Sequence, residues 1–247
     1  MKNNFGNNSP VLNLYKKNNL NSKIDTQLLY GDNFRVIKKN KSWIKIMNIK
    51  DGYKGFIRNR KFSYPIKANF KVFILKANLY RKPSIKNKTS RYLSFNSRLN
   101  ITEKKGKFGK FENYWIKLSD IKKVSHKNKN IFKDIKLFKN TKYLWGGKSF
   151  KGIDCSALVQ VFLNYNNKFF PRDSLDQEKY LTKKIKLKNL KRNDIIFWKG
   201  HVAVALSNKK IIHAYGPMKK VVIMDTKKAI ERIERTAKLK VTSIRRI

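Results

Sequence analysis

The sequence predicts two small all-β barrels followed by an α+β domain, and three observations carry that prediction. Short apolar runs separated by turn signals fill residues 10–66. A weaker copy of the same pattern follows over 67–125. Beyond a polar linker, the segment 126–247 opens with helical spacing and then turns to strands.

Residues 1–9 are polar and are expected to form a mobile tail. In 10–66 the candidate strands are Val11-Leu-Asn-Leu-Tyr15, Leu28-Leu-Tyr30, Phe34-Arg-Val-Ile37, Trp43-Ile-Lys-Ile46 and Gly55-Phe-Ile57. Gly31-Asp32, Lys39-Asn40 and Asp51-Gly52 punctuate them as turns. Within 67–125, Ala77-Asn-Leu-Tyr80 repeats Leu12-Asn-Leu-Tyr15, and Trp115-Ile-Lys-Leu118 repeats Trp43-Ile-Lys-Ile46. The two tryptophans are therefore expected at equivalent strand positions, as core or groove aromatics.

In the third segment a short amphipathic helix is expected over 131–140. A second helix starts at Cys155, since Leu158, Val159, Phe162 and Leu163 recur at helical spacing. A short helix over 176–181 follows. Strands are expected at 194–198, 201–206, 210–214, 221–224 and 240–244, with a helix at 227–238. Helices first and an antiparallel sheet after make the α+β arrangement.

The chain carries 60 Lys+Arg against 15 Asp+Glu, a formal net charge of +45 over 247 residues. The basic residues are spread evenly and no nucleic-acid motif accompanies them. No specific nucleic-acid partner is expected, only weak, salt-sensitive attraction to polyanions. A single cysteine excludes an internal disulfide framework. No apolar run is long enough for a membrane span or a signal peptide, so no membrane insertion is expected, and the expectation is a monomer in the reducing cytoplasm. The His and Cys residues lack dense ligand spacing, so no metal and no cofactor is expected.

The candidate chemistry centres on that cysteine. Cys155 follows a Gly-rich turn and is flanked by Asp154 and Ser156, at a helix start where backbone N–H groups favour a thiolate. Three histidines are present. His126 reads as a solvated linker residue. His201 and His213 bracket a predicted hairpin, Val202–Leu206 and Lys210–Ile212, and would lie side by side at the end far from its turn. A thiol needs a base to take its proton and a third group to hold that base's tautomer. Cys155, His201 and His213 fit those three parts.

Residues 141–215 resemble the catalytic domain of the NlpC/P60 cysteine peptidases. The matching residues are Tyr143-Leu-Trp-Gly-Gly147, Asp154-Cys-Ser156, Leu158-Val159, Pro171-Arg172 with Ser174 and Gln177, Asn193-Asp194-Ile-Ile-Phe197, His201-Val202 and Ile212-His-Ala214. The barrels at 10–66 and 67–125 resemble the bacterial SH3-like modules that precede this peptidase in many members. Thr26-Gln-Leu-Leu-Tyr-Gly-Asp32 and Asp51-Gly-Tyr-Lys-Gly55 carry that likeness.

The resemblance implies a compact papain-like fold and hydrolysis of the γ-D-glutamyl–diamino acid bond of peptidoglycan-derived peptides, in cell-wall peptide recycling. It implies Cys155 as nucleophile, His201 as base, His213 as the orienting residue and Tyr143 as an oxyanion donor. It also implies a substrate-binding frame. There Asp154 and Ser156 meet a substrate ammonium, and Arg172 and Ser174 hold the free α-carboxylate of the D-glutamyl residue. Asp32 and Tyr53 of the first module would close the far end. Three positions depart from the pattern. Ala157 and Asn193 replace common glycines, and Asp32 replaces a common Glu. Asn tolerates positive φ, so Asn193 still suits its turn. Two other readings compete: a wall- or polyanion-binding protein with a vestigial peptidase domain, and a related thiol amidase or acyltransferase.

Overall fold

Alternating side chains in the strand Trp43–Asn48 bury Ile44 and Ile46 on one face. They join Leu14, Leu28, Phe34 and Ile57 in the core of a six-stranded antiparallel sheet. The computed structural model describes residues 3–247. In it the six strands are Asn4–Gly6, Val11–Tyr15, Ile24–Leu29, Asn33–Lys39, Trp43–Asn48 and Lys54–Arg58. Asn4–Gly6, expected within the mobile tail, is a strand instead. Its residues pair with Asn33–Arg35, which satisfies backbone groups that an edge would leave open.

The next segment repeats the theme with two sheets. One contains Phe70–Val72, Arg98–Leu99 and Ile121–Lys123; the other contains Lys76–Tyr80, Lys88–Ser94, Glu103–Lys105, Phe108–Phe111 and Tyr114–Lys117. Val72, Ala77, Leu79, Leu93, Leu99 and Ile116 are among its core residues. Tyr30, from the first segment, is buried in this second core and meets the Phe111 ring edge-on at 5.5 Å. The chain reverses just after it at Gly31, φ +84°, where a Cβ would stand 1.9 Å from the Arg98 carbonyl oxygen. Only glycine suits both the backbone angle and the close approach.

In both copies the motif's tyrosine and tryptophan come together. Trp43 is buried and meets Tyr15 at 5.6 Å, edge to face. Trp115 is buried opposite Tyr80 in strand register and clusters with Tyr80 and Phe108. Both tryptophans are core aromatics partnered by the tyrosine of the repeated Asn-Leu-Tyr.

The contact pattern divides the chain into two compact units. The first runs to His126 and includes Lys148–Phe150; the second comprises Lys127–Gly147 and Lys151–Ile247. In the second unit the helix expected over 131–140 is only a 3-10 turn, Ile135–Phe138, whose Ile135 and Phe138 are buried three residues apart. Helix α1 (Cys155–Tyr165) is buried along its whole length. Helix α2 spans Ser174–Tyr180 and α3 spans Thr226–Ala237. Strands β1 (Ile195–Trp198), β2 (His201–Ala205), β3 (Lys210–Tyr215), β4 (Lys220–Asp225) and β5 (Val241–Arg245) form one antiparallel sheet in the order β4-β3-β2-β1-β5. Helix α1 packs on β2 and β3, and α3 packs on β4 with Ala229 and Ile233 buried in the sheet's core. Asn193 leads into β1 at φ 73°, the conformation its side chain tolerates.

Candidate active site

Asp154 caps α1 and thereby places Cys155 in the helix's first turn. Its Oδ1 accepts from Ala157 N at 2.8 Å, and its Oδ2 accepts from Gly146 N at 2.9 Å. The carboxylate thus ties the Gly-rich turn to the helix start. Arg172 completes the arrangement. Its Nη1 donates to Asp154 Oδ1 at 3.1 Å and to Ser156 Oγ at 2.8 Å, and its Nη2 donates to Asp154 Oδ2 at 2.5 Å. Arg172 is 3% exposed. The guanidinium that the resemblance gives to a substrate carboxylate thus also braces Asp154 and Ser156. A buried carboxylate needs such a partner to stay charged. Ser174 lies half-buried in the first turn of α2. Gln177, fully buried, donates from Nε2 to the carbonyls of Ser156 and Pro171 at 2.9 Å each, fastening α2 to the start of α1.

The backbone N–H groups of Val202 and Ser156 lie near enough to the Cys155 sulfur to favour its charged form. The first of these brings the nucleophile candidate to β2 beside His201. Burial is the largest influence on the thiol and the Asp154 charge adds to it, and together they push its pKa up to about 12. The backbone donors and Arg172 pull the other way and lose. The helix start and these donors favour the thiolate, as the sequence suggests, while desolvation pulls the thiol's pKa up against them.

His201 Nε2 and His213 Nδ1 are 2.9 Å apart. The two strands bring them together at the end away from the turn, as the hairpin spacing predicts. Burial lowers the pKa of His201 to about 4. Burial, with the neighbouring His201 second, lowers that of His213 to about 3. Both imidazoles are neutral at pH 7. Tyr215 stacks on His213 at 4.8 Å with 14° between the ring planes, and Trp198 flanks His201 at 5.5 Å.

Tyr143 donates its backbone N–H to Lys219 and forms a bridge with Ile153, next to the Asp154-Cys155 step. Burial holds its phenol protonated, and the Asp154 charge raises its pKa further. Asp32 and Tyr53 belong to the first unit. The Asp32 carboxylate accepts from Leu29 N at 2.8 Å and lies in the field of Lys50 and Arg98, and Tyr53 packs against the core of the six-stranded sheet. His126 is exposed. Sequence reasoning singled out neither Tyr215 nor Met224; the signal for both was strand alternation around His213.

Residues 140–237 match the model of the NlpC/P60 family. These residues form an NlpC/P60 domain, the domain of a cysteine peptidase family. Residues 14–61 match the bacterial dipeptidyl-peptidase SH3 domain, so the NlpC/P60 domain follows an SH3 module. The chain is similar to a γ-D-glutamyl-L-lysine dipeptidyl-peptidase of Bacillus subtilis strain 168, 29% identical over 217 residues, 77% of this chain and 72% of that one. A protein of the same name from Bacillus cereus ATCC 10987 is 25% identical over 227 residues, 78% of this chain and 68% of that one. The fold is similar to a solved NlpC/P60 family protein from Bacillus cereus ATCC 10987, with TM-score 0.83 and 20% identity over 98% of this chain and 99% of that one. Among the described residues no helix is long and apolar enough to cross a membrane.

Proposed function

We propose that this NlpC/P60 peptidase hydrolyses the γ-D-glutamyl–diamino acid bond of peptides released from peptidoglycan, in the recycling of cell-wall peptides, with Cys155, His201 and His213 as its triad. The observation that carries the reading is the 2.9 Å pair of His201 and His213 on strands whose Val202 N–H reaches the Cys155 sulfur. The names of the two Bacillus relatives supply the bond.

The resting thiol and neutral imidazoles favour general-base attack over a preformed ion pair. His201 takes the Cys155 proton as the sulfur adds to the γ-glutamyl carbonyl. Tyr143 donates to the developing oxyanion, a part suited to a phenol that burial keeps protonated. The imidazolium then protonates the leaving amine, and an acyl-enzyme stays on Cys155. Water, deprotonated by the same imidazole, releases the D-glutamyl product and restores the thiol. Asp154 and Ser156 would meet the substrate ammonium. Arg172 and Ser174 would take the free α-carboxylate.

The test is turnover of L-Ala-γ-D-Glu-diamino acid peptides by the purified chain, with the N-terminus free or acetylated, alongside Cys155→Ala. Cleavage of the free peptide that C155A abolishes supports the reading, and preference for the free N-terminus supports the recycling role. Unchanged turnover in C155A would sink the triad. Binding without turnover would favour a wall-binding protein, and acyl transfer to an amine in place of hydrolysis would favour an acyltransferase.

A further inference from the structure

A neutral imidazole carries one N–H, so each histidine of the pair has two tautomers. For His201 to take the thiol proton at Nδ1, its own N–H must sit at Nε2. That N–H points at His213 Nδ1, 2.9 Å away, which must then be an unprotonated acceptor. The single N–H of His213 is consequently at Nε2. His213 has no exposed surface, so no bulk water meets that proton. What lies 3.4 Å from Nε2 is the Sδ of Met224.

The sulfur discriminates between the two states of the pair. With His213 protonated at Nε2, the thioether accepts a weak N–H···S hydrogen bond. With His213 protonated at Nδ1, a nitrogen lone pair would face the sulfur lone pairs, and His201 would have to accept at Nε2 and carry its proton on Nδ1. In that state the base could not accept the thiol proton at Nδ1.

Strand register makes the contact. β3 and β4 pair Ile211 with Met224 and His213 with Val222, so His213 and Met224 are diagonal neighbours on one face. Methionine's unbranched chain spans that diagonal. The stacked Tyr215 ring fixes the plane of His213 and so the direction of its Nε2.

We propose that Met224 is a positioning residue: its sulfur holds His213, and through it His201, in the tautomer that leaves Nδ1 of His201 free as the base. This rests on the triad proposed above.

The experiment combines nitrogen-15 NMR of histidine-labelled full-length protein at neutral pH with kinetics of Met224→Leu and Met224→Gln. In the native protein both His201 and His213 are expected as Nε2–H tautomers. M224L removes the acceptor at similar volume; it should populate the Nδ1–H form of His213 and lower kcat about two- to tenfold with KM unchanged. M224Q supplies a carbonyl acceptor and should restore both. Melting curves identify any loss that is merely structural. A native His213 protonated at Nδ1, or an M224L protein with unchanged tautomers, overturns the proposal. The tautomer measurement needs no turnover, so a chain that fails to cleave the peptide would refute the proposed function while still deciding the part of Met224.

Discussion

Nε2 of His201 and Nδ1 of His213 stand 2.9 Å apart across two antiparallel strands, and His213 is completely buried. Burial lowers both pKa values, to about 4 and about 3. An unfolded histidine keeps its value near 6.5. Between pH 3 and 6.5 the unfolded chain therefore binds a proton at position 213 that the folded chain does not, and stability rises with pH through that window. Acidification from pH 6.5 towards 4 should cost the fold up to about 1.4 kcal/mol per pH unit for this one group. His213→Gln should flatten that part of the stability curve, as read by denaturant titration at pH 4.5, 5.5 and 6.5. An equal slope in both proteins would contradict it.

Cys155 should alkylate slowly. With its pKa pushed up to about 12, the thiolate is scarce at pH 8. Iodoacetamide is expected to react about a hundred- to a thousandfold more slowly than with free cysteine. Fast stoichiometric labelling at pH 6, followed by mass spectrometry, would instead reveal a preformed thiolate–imidazolium pair.

Arg172 is the counter-charge of a buried carboxylate, so its loss should be felt in stability as well as activity. Arg172→Ala leaves Asp154 charged and unpaired, at a cost of about 3–5 kcal/mol. Arg172→Lys keeps the charge but loses the fork that serves Asp154 and Ser156 together, and should recover only part of that loss. Thermal unfolding of the two variants tests the order; full recovery by lysine would argue against a geometric role.

Gly31→Ala tests the turn that feeds Tyr30 into the second core. Its Cβ would meet the Arg98 carbonyl oxygen, and φ is +84°. A loss of about 2 kcal/mol or more is expected. A melting temperature equal to the native one would show that the turn relaxes.

Much of this architecture is legible in the sequence because it is local. The hairpin between His201 and His213 follows from apolar alternation on both sides of Ser207-Asn208-Lys209, and the start of α1 follows from Asp154 and the spacing behind Cys155. The repeated Asn-Leu-Tyr and Trp motifs set Tyr15 against Trp43 and Tyr80 beside Trp115, although in the first copy the strand Lys54–Arg58 lies between the two motif strands. The 131–140 segment has helical spacing, yet only Ile135 and Phe138 bury, enough for one 3-10 turn. The tail gained a strand because the exposed edge of Asn33–Lys39 accepted Asn4–Gly6.

The sequence by itself determined the element order, the two-strand placement of the histidines, the capped helix that presents Cys155 and the likeness to NlpC/P60 peptidases. Only the tertiary structure decided which groups face one another once water is excluded. It turned Arg172 to Asp154, set Met224 against His213, and brought Val202 N–H to the Cys155 sulfur. It also set burial against the pull of the helix start on the nucleophile's proton. A helix terminus acts through nearby backbone and can be read from the chain, whereas desolvation depends on every element that closes over the thiol.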